Sequence, residues 1–235
     1  MSLSSARCSL SAFRYPAFSD EETMPFRIVC PPERFNHLRN DPAFHRLMIA
    51  GKIANALRFG IVAAKAATGP VTYTSTRTRA ASFHYVSALL QEALRFLPRL
   101  GQYYSGSQAF REELAPLLRD GTVASLQNGP LDRLRDHAVF HNDDVVMAHG
   151  LQSVALDEYV LVAGDTPLAG DVYFPLSDIA IVHHALSTDV QGYQLLGEMS
   201  VLLDQVADVG TKVCKGIDSL FREAVSELGC SYIDE

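Results

Sequence analysis

The chain has 235 residues, 48% of them hydrophobic, with 20 basic and 27 acidic side chains and a net charge of −7. That length suits one large domain, or one domain with an appended arm, and the acidic balance excludes a protein that coats nucleic acid with a generally positive surface. Any contact with RNA or DNA must be local. The four cysteines, Cys8, Cys30, Cys214 and Cys230, form no CxxC pair and lie toward the two ends, which suits reduced thiols better than a zinc ribbon or a disulfide scaffold. No run approaches 18 uninterrupted apolar residues. Residues 1–15 lack the apolar centre of a secretory signal, although their Ser and Arg content has something of an organellar presequence. A soluble cytoplasmic protein without a membrane partner is expected.

Residues 1–25 mix Ser and Arg with the acidic run Asp20-Glu21-Glu22, too few apolar groups to offset the entropy of ordering them. The expected division is a flexible arm over 1–30 and a single helical-bundle domain over 31–235. Asp41-Pro42 sets a side-chain acceptor before a first-turn proline and announces a helix to about residue 67, with Phe44, Leu47, Ile49, Ile53, Leu57, Ile61 and Ala64 on its apolar positions. A Thr-rich loop follows to residue 78, where Arg77 and Arg79 read as solvated cations. Helical periodicity resumes over 80–104, with Pro98 predicted to kink or end it, and short helices are predicted at about 107–119 and before the Asn128-Gly129-Pro130 break.

Residues 158–186 read as a small β excursion, with Tyr159 to Val162, Val172 to Phe174 and Ile179 to Val182 as strand candidates. On such a strand His183 and His184 point to opposite faces. From about residue 188 to 228, apolar residues spaced mostly by threes and fours predict a long amphipathic helix, bent at Gly210 or Gly216. Roughly forty residues would span about 60 Å, more than one bundle of this size needs, so a dimer partner is expected. The fold class is mainly α: an antiparallel helical bundle with a long C-terminal helix and a small β-hairpin-like insertion.

The stretch from Leu131 to His149 concentrates arginine, aspartate and histidine as no other segment does. Arg135 is followed by Asp136 and, after five intervening residues, by His141. An arginine binds phosphate bidentately, and a histidine titrating near neutrality serves as general acid or base. Asp136 can orient either. On one uninterrupted helix, Arg135 and His141 would stand about 120° apart around the axis and about 9 Å along it, so a break or a second copy of the helix is needed to converge them. A solvated face with i, i+4 pairs is the plain alternative for such a helix.

Leu134, Arg135, Asp136 and the Phe140-His141-Asn142-Asp143 ending resemble the Arg-x4-6-His signature of the HEPN superfamily, and in particular the Leu-Arg-Asn/Asp … His-x-Asp pattern of its ribonuclease toxins. The resemblance implies a metal-independent endoribonuclease that needs no cofactor, with Arg135, Asp136 and His141 catalytic and two motifs meeting in a homodimer. RNA would be the substrate and an inhibitory protein a further partner. Two other functions compete. A non-catalytic helical module could bind a nucleotide or a protein, which suits the acidic charge. A metal-dependent hydrolase could use His137 and His141, four residues apart, with Asp144, Asp143 or His149 completing the set. His37, His45 and His84 read as core-edge or surface residues, and Tyr103-Tyr104 as packing.

Overall fold

An antiparallel pair of long helices forms the frame. In this computed structural model the described residues are 26–66, 72–135, 144–154, 160–166, 172–188 and 190–234. Helix α1 spans Pro32–Leu38, and α2 spans Pro42–Ala66, opening where Asp41 accepts from the Ala43 amide at 2.8 Å. Helix α3, Tyr73–Tyr104, starts seven residues before position 80, in the stretch expected to be loop. Thr72 and Ser75 cap each other's backbone amides, and Asp165 accepts from the Tyr73 and Thr74 amides at 3.0 and 2.8 Å. These bonds satisfy first-turn donors that the Thr-rich sequence would otherwise leave to water. Arg77 is therefore helical, and its guanidinium donates to the Val172 carbonyl at 3.0 Å.

Pro98 does not end α3, because Phe96, Leu97 and Leu100 are buried on both sides of it and tertiary packing outweighs one lost hydrogen bond. A π turn over Phe110–Leu114 and a 3-10 turn over Leu117–Arg119 take the place of the helix expected at 107–119. Asp120 caps α4, Gly121–Gln127, through the Thr122 and Val123 amides, and α5 is the single turn Pro130–Arg133. Helix α6 follows at Asp144–Gln152.

Strand β1 is Phe26–Val29, so the last residues of the expected arm are a strand instead. The excursion at 158–186 shrinks to β2, Ala163–Gly164, paired antiparallel with β3, Val172–Tyr173. Ile179 to Val182, expected as a strand, belong to helix α7, Pro175–Leu186, which proline opens at its first turn and Ser187 closes in the left-handed conformation. Its apolar run is helical because Ala180, Val182, His183 and Ala185 are buried around it, leaving no polar face for an alternating strand to expose.

Helix α8, Gly192–Glu227, is the long helix foreseen at 188–228, and β4, Ser231–Asp234, returns antiparallel to β1. The core lies where α2, α3 and α8 meet, around Leu47, Leu57, Phe83, Leu94, Val206 and Leu220. Leu131 and Leu134 are fully buried in the same cluster, so α5 is plugged into the core rather than laid on the surface. By length and composition the window Pro42–Lys65 is apolar enough to cross a bilayer. Here one face of that helix, Leu47, Ala50, Ala54, Leu57 and Ile61, is buried against α3 and α8.

Candidate functional site

The residues opening the Arg-x5-His motif are clasped between α3 and α7. On α3, His84, Ser87, Gln91 and Arg95 recur at steps of three and four, which lines them up along one helical face, with Glu92 next to it. Gln91 donates through Nε2 to the Gln127 carbonyl at 2.9 Å and to Asp132 at 3.1 Å. Arg95 reaches the same Asp132 carboxylate at 2.6 Å. Glu92 accepts from Nε of Arg135 at 2.6 Å, and Arg133 donates from Nε to the Ala185 carbonyl at 2.8 Å. Three contacts, two on Asp132 and one from Arg133, thus fix a helix of only four residues, whose own turn supplies few hydrogen bonds.

Arg135 is partly buried, with 28% of its side chain exposed, and Glu92 holds the Nε edge of its guanidinium. Asp136, His137, His141 and Asp143 lie outside the described residues, so of the three expected catalytic residues only Arg135 is placed. Asp144 and His149 are exposed residues of α6, at the far side of the 136–143 segment. Among the described residues no group of three His, Cys, Asp or Glu is arranged to hold a metal.

The face of α3 continues into a polar seam with α7 that periodicity did not single out. His84 is 8% exposed and its Nδ1 lies 3.8 Å from Asp178 Oδ1 on α7. Burial holds its pKa below the ordinary imidazole value, and the Asp178 charge opposes this only in part. Asp178 also accepts from the Tyr173 hydroxyl, whose pKa is raised by burial and then by that carboxylate. His183 is buried with Nδ1 2.8 Å from the Thr188 carbonyl, while the His184 ring meets His149 edge-on at 5.5 Å. His183 and His184 sit on a helix, not on opposite faces of a strand. Among the described residues His84 Nε2, Ser87 Oγ, Gln91 Oε1 and His183 Nε2 are buried without a hydrogen-bond partner. Such atoms are costly in a purely structural core, and they accumulate where a protein holds something polar.

Glu92, Asp132, Arg95 and Asp178 were not singled out from sequence as site residues. The signal that could have found them is the polar run His84, Ser87, Gln91 at helical spacing on an otherwise apolar helix. Of the other residues read as structural, His37 and His45 are surface residues and Tyr104 packs partly buried against the core, whereas Tyr103 is exposed rather than packed. His45 Nε2 lies 2.6 Å from the Arg39 carbonyl, and the Tyr104 hydroxyl donates to the Ala43 carbonyl at 3.0 Å. Beside α5, a cleft of about 590 Å³ opens against α8 and the end of α7, lined by Pro130, Leu186, Gln194, Glu198, Val201 and Gln205. Arg135 is not in its lining, and the only charged group among those six is an acid, a poor receiver of phosphate.

No protein-family model, curated protein or solved structure matches the chain.

Proposed function

We propose that the protein is a HEPN-like, metal-independent endoribonuclease of the cytoplasm that acts as a homodimer, with Arg135 as phosphate clamp, His141 as general acid or base and Asp136 as the orienting residue. The observation that carries it is the setting of Arg135. Its side chain is 28% exposed, and Glu92 accepts from its Nε at 2.6 Å, which holds the guanidinium in place. A cation fixed in advance stabilises charge developing on phosphorus without reorganising during the reaction. Cleavage by 2′-hydroxyl attack needs a base for the 2′-proton and an acid for the 5′-oxygen, roles that a histidine can fill on either side of neutrality.

The test is cleavage of single-stranded and structured RNA by purified protein in excess chelator. Activity is expected to persist there, and Arg135→Ala and His141→Ala are each expected to slow it on the order of 100-fold or more. Intact RNA in chelator, or a wild-type rate in the double variant, would sink the proposal.

One observation favours a non-catalytic module that binds a nucleotide or protein at the same place. Glu92 neutralises Arg135 within a protein of net charge −7, which weakens the pull on a polyanion. RNA affinity that falls steeply with salt points to the nuclease; no RNA affinity even at low salt points to the module. An inhibitory protein partner belongs to the nuclease proposal alone.

A further inference from the structure

The two ends of the described chain meet in a way that brings two cysteines together. Phe26 faces Asp234 and Val29 faces Ser231 along the β1–β4 ladder. One further step in the same register sets Cys30 opposite Cys230. Facing residues in an antiparallel pair have Cα atoms about 4.5 to 5.5 Å apart, which falls inside the range of roughly 4.4 to 6.8 Å that a disulfide spans. The two thiols are near enough for Cys30 to help raise the pKa of Cys230, while their Sγ atoms lie 3.7 and 4.0 Å from the Pro31 and Leu228 carbonyls. Both are free thiols and half-buried, open to a small oxidant.

The surrounding backbone fixes this approach. Gly229 takes φ +66°, a left-handed conformation that turns the chain out of α8 into β4, and the Arg34 side chain on α1 donates from Nε to the Leu228 carbonyl at 2.7 Å. Cys214 differs. It is buried between α2 and α8, 3.6 Å from the Ala54 carbonyl.

We propose that Cys30 and Cys230 are a redox-active pair that closes reversibly into a disulfide joining the terminal strands. With glutathione disulfide as oxidant, one protein thiolate attacks a glutathione sulfur and releases one glutathione thiolate. The second protein thiolate then attacks the protein sulfur of the mixed disulfide and releases the other. Two protein thiols lose two protons and two electrons, and one glutathione disulfide becomes two glutathione thiols. The Cys230 thiol is pushed up to about 11 by burial and by its neighbour Cys30, so its step accelerates as pH rises. A two-stranded pair is marginal alone, and covalent closure across nearly the whole described chain restricts the unfolded state strongly.

The full-length protein is incubated with glutathione disulfide, then digested without reductant and mapped by mass spectrometry. The expected result is a loss of about 2 Da in the intact mass and one linked peptide joining Cys30 to Cys230. Closure should raise Tm on the order of 10 °C, and dithiothreitol should reverse it. Cys30→Ser and Cys230→Ser should each leave a mixed disulfide on the surviving partner and no rise in Tm. Mixed disulfides on both cysteines of the wild type, unmodified thiols, or a linkage through Cys8 or Cys214 would overturn the proposal. The wild-type peptide map decides this even if a serine variant fails to fold.

Discussion

His84 carries the clearest single-residue consequence of the polar seam. Its ring is buried between α3 and α7, with Asp178 on one side and the Tyr173 hydroxyl behind that carboxylate. Burial favours the neutral ring, so the unfolded chain binds the proton more tightly than the native one, and stability rises with pH. The contribution is complete above the ordinary value of 6.5 and is lost as pH falls through it toward the lower folded value. His84→Gln, which cannot take a proton, is expected to flatten urea-unfolding stability between about pH 5 and 7. An unchanged slope in that variant would place the acid sensitivity elsewhere. Arg135 differs from His84 in kind. Its partner Glu92 keeps a permanent cation at a fixed orientation.

Between elements, the contact that decides whether α6 and α7 can lie together is a glycine. A Cβ built on Gly150 would stand 2.1 Å from the Ala180 carbonyl oxygen, a backbone atom that cannot rotate away. Gly150→Ala is therefore expected to destabilise the fold by about 3 kcal/mol or more through forced separation of the two helices. Urea denaturation measures it; a change below about 1 kcal/mol would mean that the crossing is looser than it stands. The His149–His184 ring contact should be lost with it, since Gly150 and His149 are neighbours on the same turn.

The elements that were legible in the sequence share one property: the signals that define them are local. Asp41-Pro42 opens α2 with its own neighbours, and the apolar spacing of α8 needs nothing beyond itself. The first turn of α3 was missed because part of its cap is Asp165, some ninety residues further on. Helix α7 was misread in part because a short buried apolar run has the same pattern as a strand when both of its faces are covered. The same limit applies to the site. Arg135 is proposed from its spacing to His141, whereas its partner Glu92, 43 residues earlier, enters only once α3 is packed against the α5 end of the chain. The Cys30 and Cys230 pairing is the extreme case, two positions 200 residues apart that share no local signal.

At the scale of the molecule, the length of α8 no longer calls for a partner. Its 36 residues span roughly 54 Å. Yet Leu195, Met199, Leu202, Val206, Val209, Val213, Ile217, Leu220 and Ala224 are buried along it by the same chain. The case for a dimer then rests on the motif itself: on one uninterrupted helix an arginine and a histidine six residues apart converge poorly, and a second copy of the motif, or a break in the helix, brings them together. Subunit mixing tests that case directly. If each site takes Arg135 from one protomer and His141 from the other, Arg135→Ala and His141→Ala proteins, each inactive, form a mixed dimer with one site intact and one doubly damaged. Random exchange makes half of the dimers mixed, each with one of two sites working, so the mixture should regain about a quarter of wild-type cleavage. A mixture that stays inactive, after subunit exchange is verified by mass spectrometry of tagged chains, would mean that each site draws both residues from one chain. Sedimentation of the wild type as a monomer at the assay concentration would rule out the composite site independently of any cleavage measurement.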